Sequence, residues 1–113
     1  MMILPIIIKS RNVLDRQHWA KKSMLKKEYA LLIRNQMRLN KHTFAEQQKY
    51  EITIKSNRKK LLDYDNLVGG CKHLIDALIE EKFIFDDSPE YIFMKFEQRA
   101  NRGNTTEIYR RKI

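Results

Sequence analysis

Asp63, Asp65 and the pair Asp86-Asp87 are the residues of this chain best equipped for chemistry. They stand in Asp63-Tyr64-Asp65-Asn66-Leu67-Val68-Gly69-Gly70-Cys71-Lys72, followed by an amphipathic run and then Asp86-Asp87. Grouped carboxylates hold a hard divalent cation through oxygen, and surrounding Lys and Arg hold phosphates. Together they suit metal-assisted cleavage of a nucleic-acid backbone. In an extended segment, residues i and i+2 project to one side, so Asp63 and Asp65 would both reach one ion. The plainer alternative is that Asp65 or Asn66 caps the following helix. Asp86-Asp87, before Ser88-Pro89, also reads as a turn, but beside Asp63 and Asp65 it becomes the source of a third ligand. Lys72 either pairs with Asp76 at i+4 or offsets charge on a scissile phosphate.

The charge around these acids is unevenly spread. The chain has 113 residues and a formal net charge of +9. Residues 1–62 carry 15 Lys and Arg against 4 acids, residues 63–97 carry 3 against 9, and residues 98–113 carry 5 against 1. A merely solvated surface has no reason to collect its acids in one central stretch, so the pattern favours a polyanionic partner. Arg11, Arg16, Arg58, Lys59 and Lys60 are the expected phosphate contacts; the last three end just before Asp63. Two rival readings stay open. One is a non-catalytic basic nucleic-acid-binding module whose acids serve structure only. The other is a restriction-type nuclease, because Asp65 followed by Glu80-Glu81-Lys82 is similar to an Asp…Glu-x-Lys pattern. That pattern wants a strand, and here it falls at a helix end, where a lysine is favoured by the dipole.

Other function classes recede. His18, His42 and His73 show no metal-ligand spacing, and the single Cys71 rules out an internal disulfide and suits a reducing, cytoplasmic setting. Met1–Ile8 is apolar but too short to span a bilayer and lacks the basic start of a signal peptide. No membrane partner and no small-molecule cofactor are expected.

The elements that must position the acids follow from periodicity. Ile3–Lys9 reads as a first strand, with Pro5 implying an edge or bulge. Residues 18–39 read as a long amphipathic helix, with Trp19, Met24, Leu25, Tyr29, Leu32 and Ile33 on a broad apolar face and Trp19 in the core, the alternative for Trp19 being a DNA contact. Tyr50–Lys55 alternates as a half-buried strand. Asn66 to about Glu81 forms the second helix, and Tyr91–Glu97 with Thr106–Arg111 forms a hairpin around Arg99–Asn104. The order β-α-β-α-β-β implies a single small α/β domain over residues 1–113, a mixed sheet with two helices on one face.

At this point the chain resembles the RusA-type endodeoxyribonucleases, phage and prophage enzymes that resolve Holliday junctions. Asp63-Tyr64-Asp65-Asn66, Lys72, Asp76-Ala77-Leu78 and Asp86-Asp87 are similar to the family's Asp-x-Asp-Asn core and its downstream acids. Asn12–Lys22 looks like its Asn-x-x-x-Arg entry into the first helix. The resemblance implies a Mg²⁺-dependent homodimer, with Mn²⁺ as a substitute, that nicks two strands of a four-way DNA junction symmetrically. It implies metal ligation by Asp63, Asp65 and Asp87, with Lys72 as the catalytic partner. The family's lysine follows its second Asp more closely than Lys72 follows Asp65, so Gly69–Cys71 reads as a local insertion that Gly69-Gly70 absorbs before the helix is established.

Overall fold

The computed structural model describes residues 1–113. Its elements are β1 (Met2–Leu4), α1 (Arg11–Arg16), α2 (Trp19–Leu39), β2 (Tyr50–Arg58), α3 (Tyr64–Gly70), α4 (Lys72–Glu80), β3 (Ile92–Ala100) and β4 (Thr105–Lys112). The strands form one mixed sheet in the order β1-β4-β2-β3. Register sets Ile54 of β2 beside Phe96 on one side and Ile108 on the other, and Ile52 beside Met94. These residues share the face that carries the core with Met2, Leu4 and Tyr50. The opposite face shows Phe93, Lys95, Glu97 and Tyr109 to solvent. The sheet therefore buries one side only, under helices, as the alternating patterns require. No helix is long and apolar enough to cross a membrane.

Several elements differ from the sequence expectation. β3 and β4 do not form a hairpin: β4 pairs antiparallel with β2 and β1, whereas β3 pairs parallel with β2 on its other edge. The segment from α3 through α4 is long enough to carry the chain back for a parallel pairing. β2, buried along the whole of one face, takes the centre. β1 ends at Leu4, because Pro5 has no N–H for the ladder. The following chain turns into α1, where Ser10 Oγ accepts from the Val13 N–H at 3.2 Å. Trp19 is not core but 74% exposed. The buried stripe of α2 is Leu25, Tyr29, Ala30, Ile33 and Met37; Trp19 precedes it beyond the end of the core, and Met24 falls outside it.

The second expected helix is two. α3 and α4 meet at Cys71, which is fully buried. Burial pushes the Cys71 thiol up to about 12, with Arg58 opposing the shift, so the thiol stays protonated and unreactive at neutral pH. Gly69 and Gly70 do not loosen the helix; they let it approach its neighbour. A Cβ on Gly70 would lie 2.0 Å from the Lys9 carbonyl oxygen, and one on Gly69 would lie 2.5 Å from Arg11 Cδ. Asn66 Oδ1 also accepts from the Asn12 N–H at 3.4 Å, tying α3 to α1. α4 packs along α2, and their C-terminal ends are joined by Arg34, whose Nε and Nη2 donate to Glu81 at 2.8 and 3.0 Å.

Backbone cannot yield as a side chain can. Gly70→Ala is therefore expected to destabilise by about 1–3 kcal/mol through overpacking. Gly69→Ala should cost less but not nothing: it meets side-chain atoms, yet Arg11 Cβ at 2.8 Å moves only with α1, and alanine gains about 1 kcal/mol of helix propensity in return. Urea denaturation of the two variants measures the difference.

Candidate active site

A cleft of about 620 Å³ opens between the edge strand β3 and the helices. Its apolar floor includes Ile92, Met94 and Phe96, which point to the core side of β3. Met94 and Phe96 are only partly buried, because β3 has a neighbouring strand on one side alone. Tyr64, Asp65, Val68 and Gly69 of α3 form one wall, continued by Lys72 and Asp76 of α4. Arg11 and Asp15 of α1 and Asp87 from the loop before β3 complete the rim. Chain segments far apart in sequence thus bring Asp65, Lys72 and Asp87 to one depression.

The charges in the cleft do not balance. Its lining holds four carboxylates, Asp15, Asp65, Asp76 and Asp87, and two cations, Arg11 and Lys72. Arg11 Nε lies 3.6 Å from Asp15, and Lys72 Nζ lies 3.7 Å from Asp76. Both are exposed i,i+4 pairs, each worth at most about 1 kcal/mol. Asp65 and Asp87 are left with no ion-pair partner in a protein of net charge +9. The Asp87 N–H is held by Asp86 Oδ1 at 2.7 Å, so Asp86 closes the turn while Asp87 faces the cleft.

Asp63 is placed differently. It is the N-cap residue of α3 with extended backbone, and its side chain makes no capping bond. Asp65 already lies in the first helical turn, so the two carboxylates do not project as neighbours along one extended strand. Asp63 is not part of the cleft lining. No three His, Cys, Asp or Glu side chains gather closely enough to form a ready metal cage. In chemical kind the donors still fit a hard cation: Asp65 and Asp87 are exposed, uncommitted carboxylates on one cleft, and Asp63 is two positions from Asp65.

Two clamps hold the loop that delivers these acids. Gln98 of β3 accepts from the Leu62 N–H at 3.0 Å through Oε1 and donates to the Leu62 carbonyl at 2.7 Å through Nε2. Arg58, at the end of β2, donates through Nη1 to the Ile8 carbonyl and through Nε to the Lys60 carbonyl, each at 2.7 Å. Burial holds the Arg58 guanidinium below its ordinary basicity. Arg58 is thus braced on two backbone carbonyls and is not one of three equally flexible cations. Lys59 and Lys60 remain exposed in the loop, and Arg16 is exposed at the end of α1. Of the expected phosphate contacts, only Arg11 lines the cleft.

Glu80 and Lys82 belong elsewhere. They line a separate depression with Arg34, Arg38 and Glu81. Lys82 has φ 65° in the turn after α4, so no strand carries the Glu-x-Lys sequence. Asp15 and Gln98 had no place in the sequence reading. Asp15 was detectable in principle as the i+4 partner of Arg11, but nothing local marks Gln98. The chain matches no family model, no curated protein and no solved structure.

Gln98→Leu keeps the bulk but leaves the Leu62 N–H and carbonyl unpaired. Expected are a stability loss of about 1–3 kcal/mol and faster hydrogen exchange at the Leu62 amide, read by NMR. An unchanged Leu62 amide would mean that the loop is held by other contacts.

Proposed function

We propose that the protein is a Mg²⁺-dependent DNA endonuclease, with Mn²⁺ as a substitute, that resolves four-way junctions as a homodimer. The observation that carries the reading is the pair of unpaired carboxylates, Asp65 and Asp87, facing one cleft with Lys72 inside a strongly basic chain. Asp65 and Asp87, with Asp63 two residues before Asp65, would hold the cation. When bound, the cation supplies an activated water and charge neutralisation at a phosphodiester. Lys72 offsets charge on a non-bridging phosphate oxygen. Its pair with Asp76 is long and exposed at 3.7 Å, so exchanging that partner for a phosphate costs little. Arg11 orients the backbone at the rim, and Arg16, Lys59 and Lys60 add contacts that position without reading bases.

A junction presents two strands related by symmetry, and each chain offers one such cleft. Two copies about a two-fold axis, the commonest oligomer symmetry, satisfy both facts. The substrate places the reading in the cytoplasm of a bacterial or phage-infected cell.

The test is a synthetic four-way junction incubated with protein and Mg²⁺. Paired symmetric nicks are expected, lost in Asp65→Asn and Asp87→Asn while junction binding is kept or tightened, since each change removes a negative charge facing phosphate. Asp86→Asn should retain cleavage, because Asp86 serves the turn. Mg²⁺ should also raise the melting temperature of the wild type and not of Asp65→Asn. Binding without cleavage under all metals would return the chain to a non-catalytic nucleic-acid-binding module.

A further inference from the structure

Trp19 is the only tryptophan of the chain and is 74% exposed, an unfavourable setting for so large an apolar ring. Its ring has one aromatic neighbour. His18 caps α2, with Nδ1 accepting from the Ala20 N–H at 3.2 Å, and the His18 and Trp19 rings stand 5.4 Å apart. Trp19, Lys22 and Lys26 occupy positions i, i+3 and i+7 of α2 and so form one stripe. α2 packs along α4, which brings this stripe beside the residues that open α4. The basicity of His73 on α4 is lowered first by burial; Asp76 opposes, and Lys22, Lys72 and Lys26 add to the lowering. The two α2 lysines therefore share a field with Lys72, which lines the cleft. Asp15, four residues before Trp19, lines it as well.

We propose that this stripe is a stacking platform for an unpaired nucleic-acid base, with Trp19 on the face of the base and Lys22 and Lys26 on the flanking phosphates. The partner class rests on the nucleic-acid reading above, but the platform needs neither the cation nor cleavage. A paired base shows only its edge to a protein, whereas an unpaired one offers the π-face that an exposed indole can cover. Lysines at helical spacing supply point charges without the fork geometry that reads base edges, so they suit phosphates.

Because Trp19 is the sole tryptophan, its emission reports on this site alone. The full-length protein, in EDTA, is titrated with a short single-stranded oligothymidylate and with a blunt duplex of equal charge. Expected is quenching by the single strand well beyond that by the duplex. Trp19→Ala should weaken single-strand binding at least about fivefold, with Trp19→Phe close to wild type. Lys22→Ala with Lys26→Ala should flatten the salt dependence by about 0.7 of a log–log unit per lost contact. Strand binding with unchanged emission and a neutral Trp19→Ala overturns the proposal, as does equal quenching by the duplex. Junction cleavage with a silent Trp19 sinks the platform alone. Selective quenching without cleavage sinks the nuclease reading alone, and failure to bind any nucleic acid sinks both.

Discussion

α3 lies so close to the chain just before α1 that Gly70 faces the carbonyl of Lys9 with no room for a methyl group. Much of the candidate site depends on that contact. It lets α3 settle against α1, so that Arg11 and Asp15 reach the same cleft as Asp65. It also buries Cys71 at the joint between α3 and α4, and that joint starts α4 with Lys72 directed to the cleft. Any larger residue at position 70 would separate the two walls. The glycines here serve close packing of helix against backbone, and their freedom of φ is not used, since neither has positive φ.

A second constraint acts from the sheet. β2 is the only strand whose partners are β3 in parallel and β4 antiparallel. The crossover between β2 and β3 must then travel over the helical face, and it is this crossover that carries all three candidate ligands. Gln98 fastens its beginning to β3 through Leu62, and Arg58 fastens it to Ile8 and Lys60. The acids are therefore delivered by braced backbone at both edges of the cleft floor. The electrostatics follow: two local ion pairs consume both cations of the lining and leave Asp65 and Asp87 exposed to whatever positive charge enters. Such a local excess of negative charge inside a basic surface attracts a small cation and a polyanion together, which neither charge alone would do.

Much of this was legible in the residues. The β2 alternation, the amphipathic α4 and the apolar stripe of α2 follow from periods of two and about 3.6, which local sequence carries. The Lys72–Asp76 pair follows from i+4 spacing. The roles of Gly69 and Gly70 were not legible, because their meaning lies in Lys9 and Arg11, far away in the chain. The same holds for Arg58, which reads as one of three consecutive cations until two carbonyls are found within its reach. Trp19 shows the converse error: an apolar residue at the start of a helix counts toward the periodic face even when the core ends before it.

What the sequence determined by itself was therefore chemical and periodic. It set which residues are acids, that the acids are concentrated in a basic chain, and that helices cover one face of a mixed sheet. Only the tertiary structure decided which acids meet. It separated β3 from β4 by inserting β2, left Asp63 outside the cleft lining, and put Asp65 and Asp87 on one cleft. The physical reason is that propensity and hydrophobic period act over a few neighbouring residues. Strand order and cleft membership depend instead on non-local pairing and on sterics such as the contact at Gly70, which no local window contains.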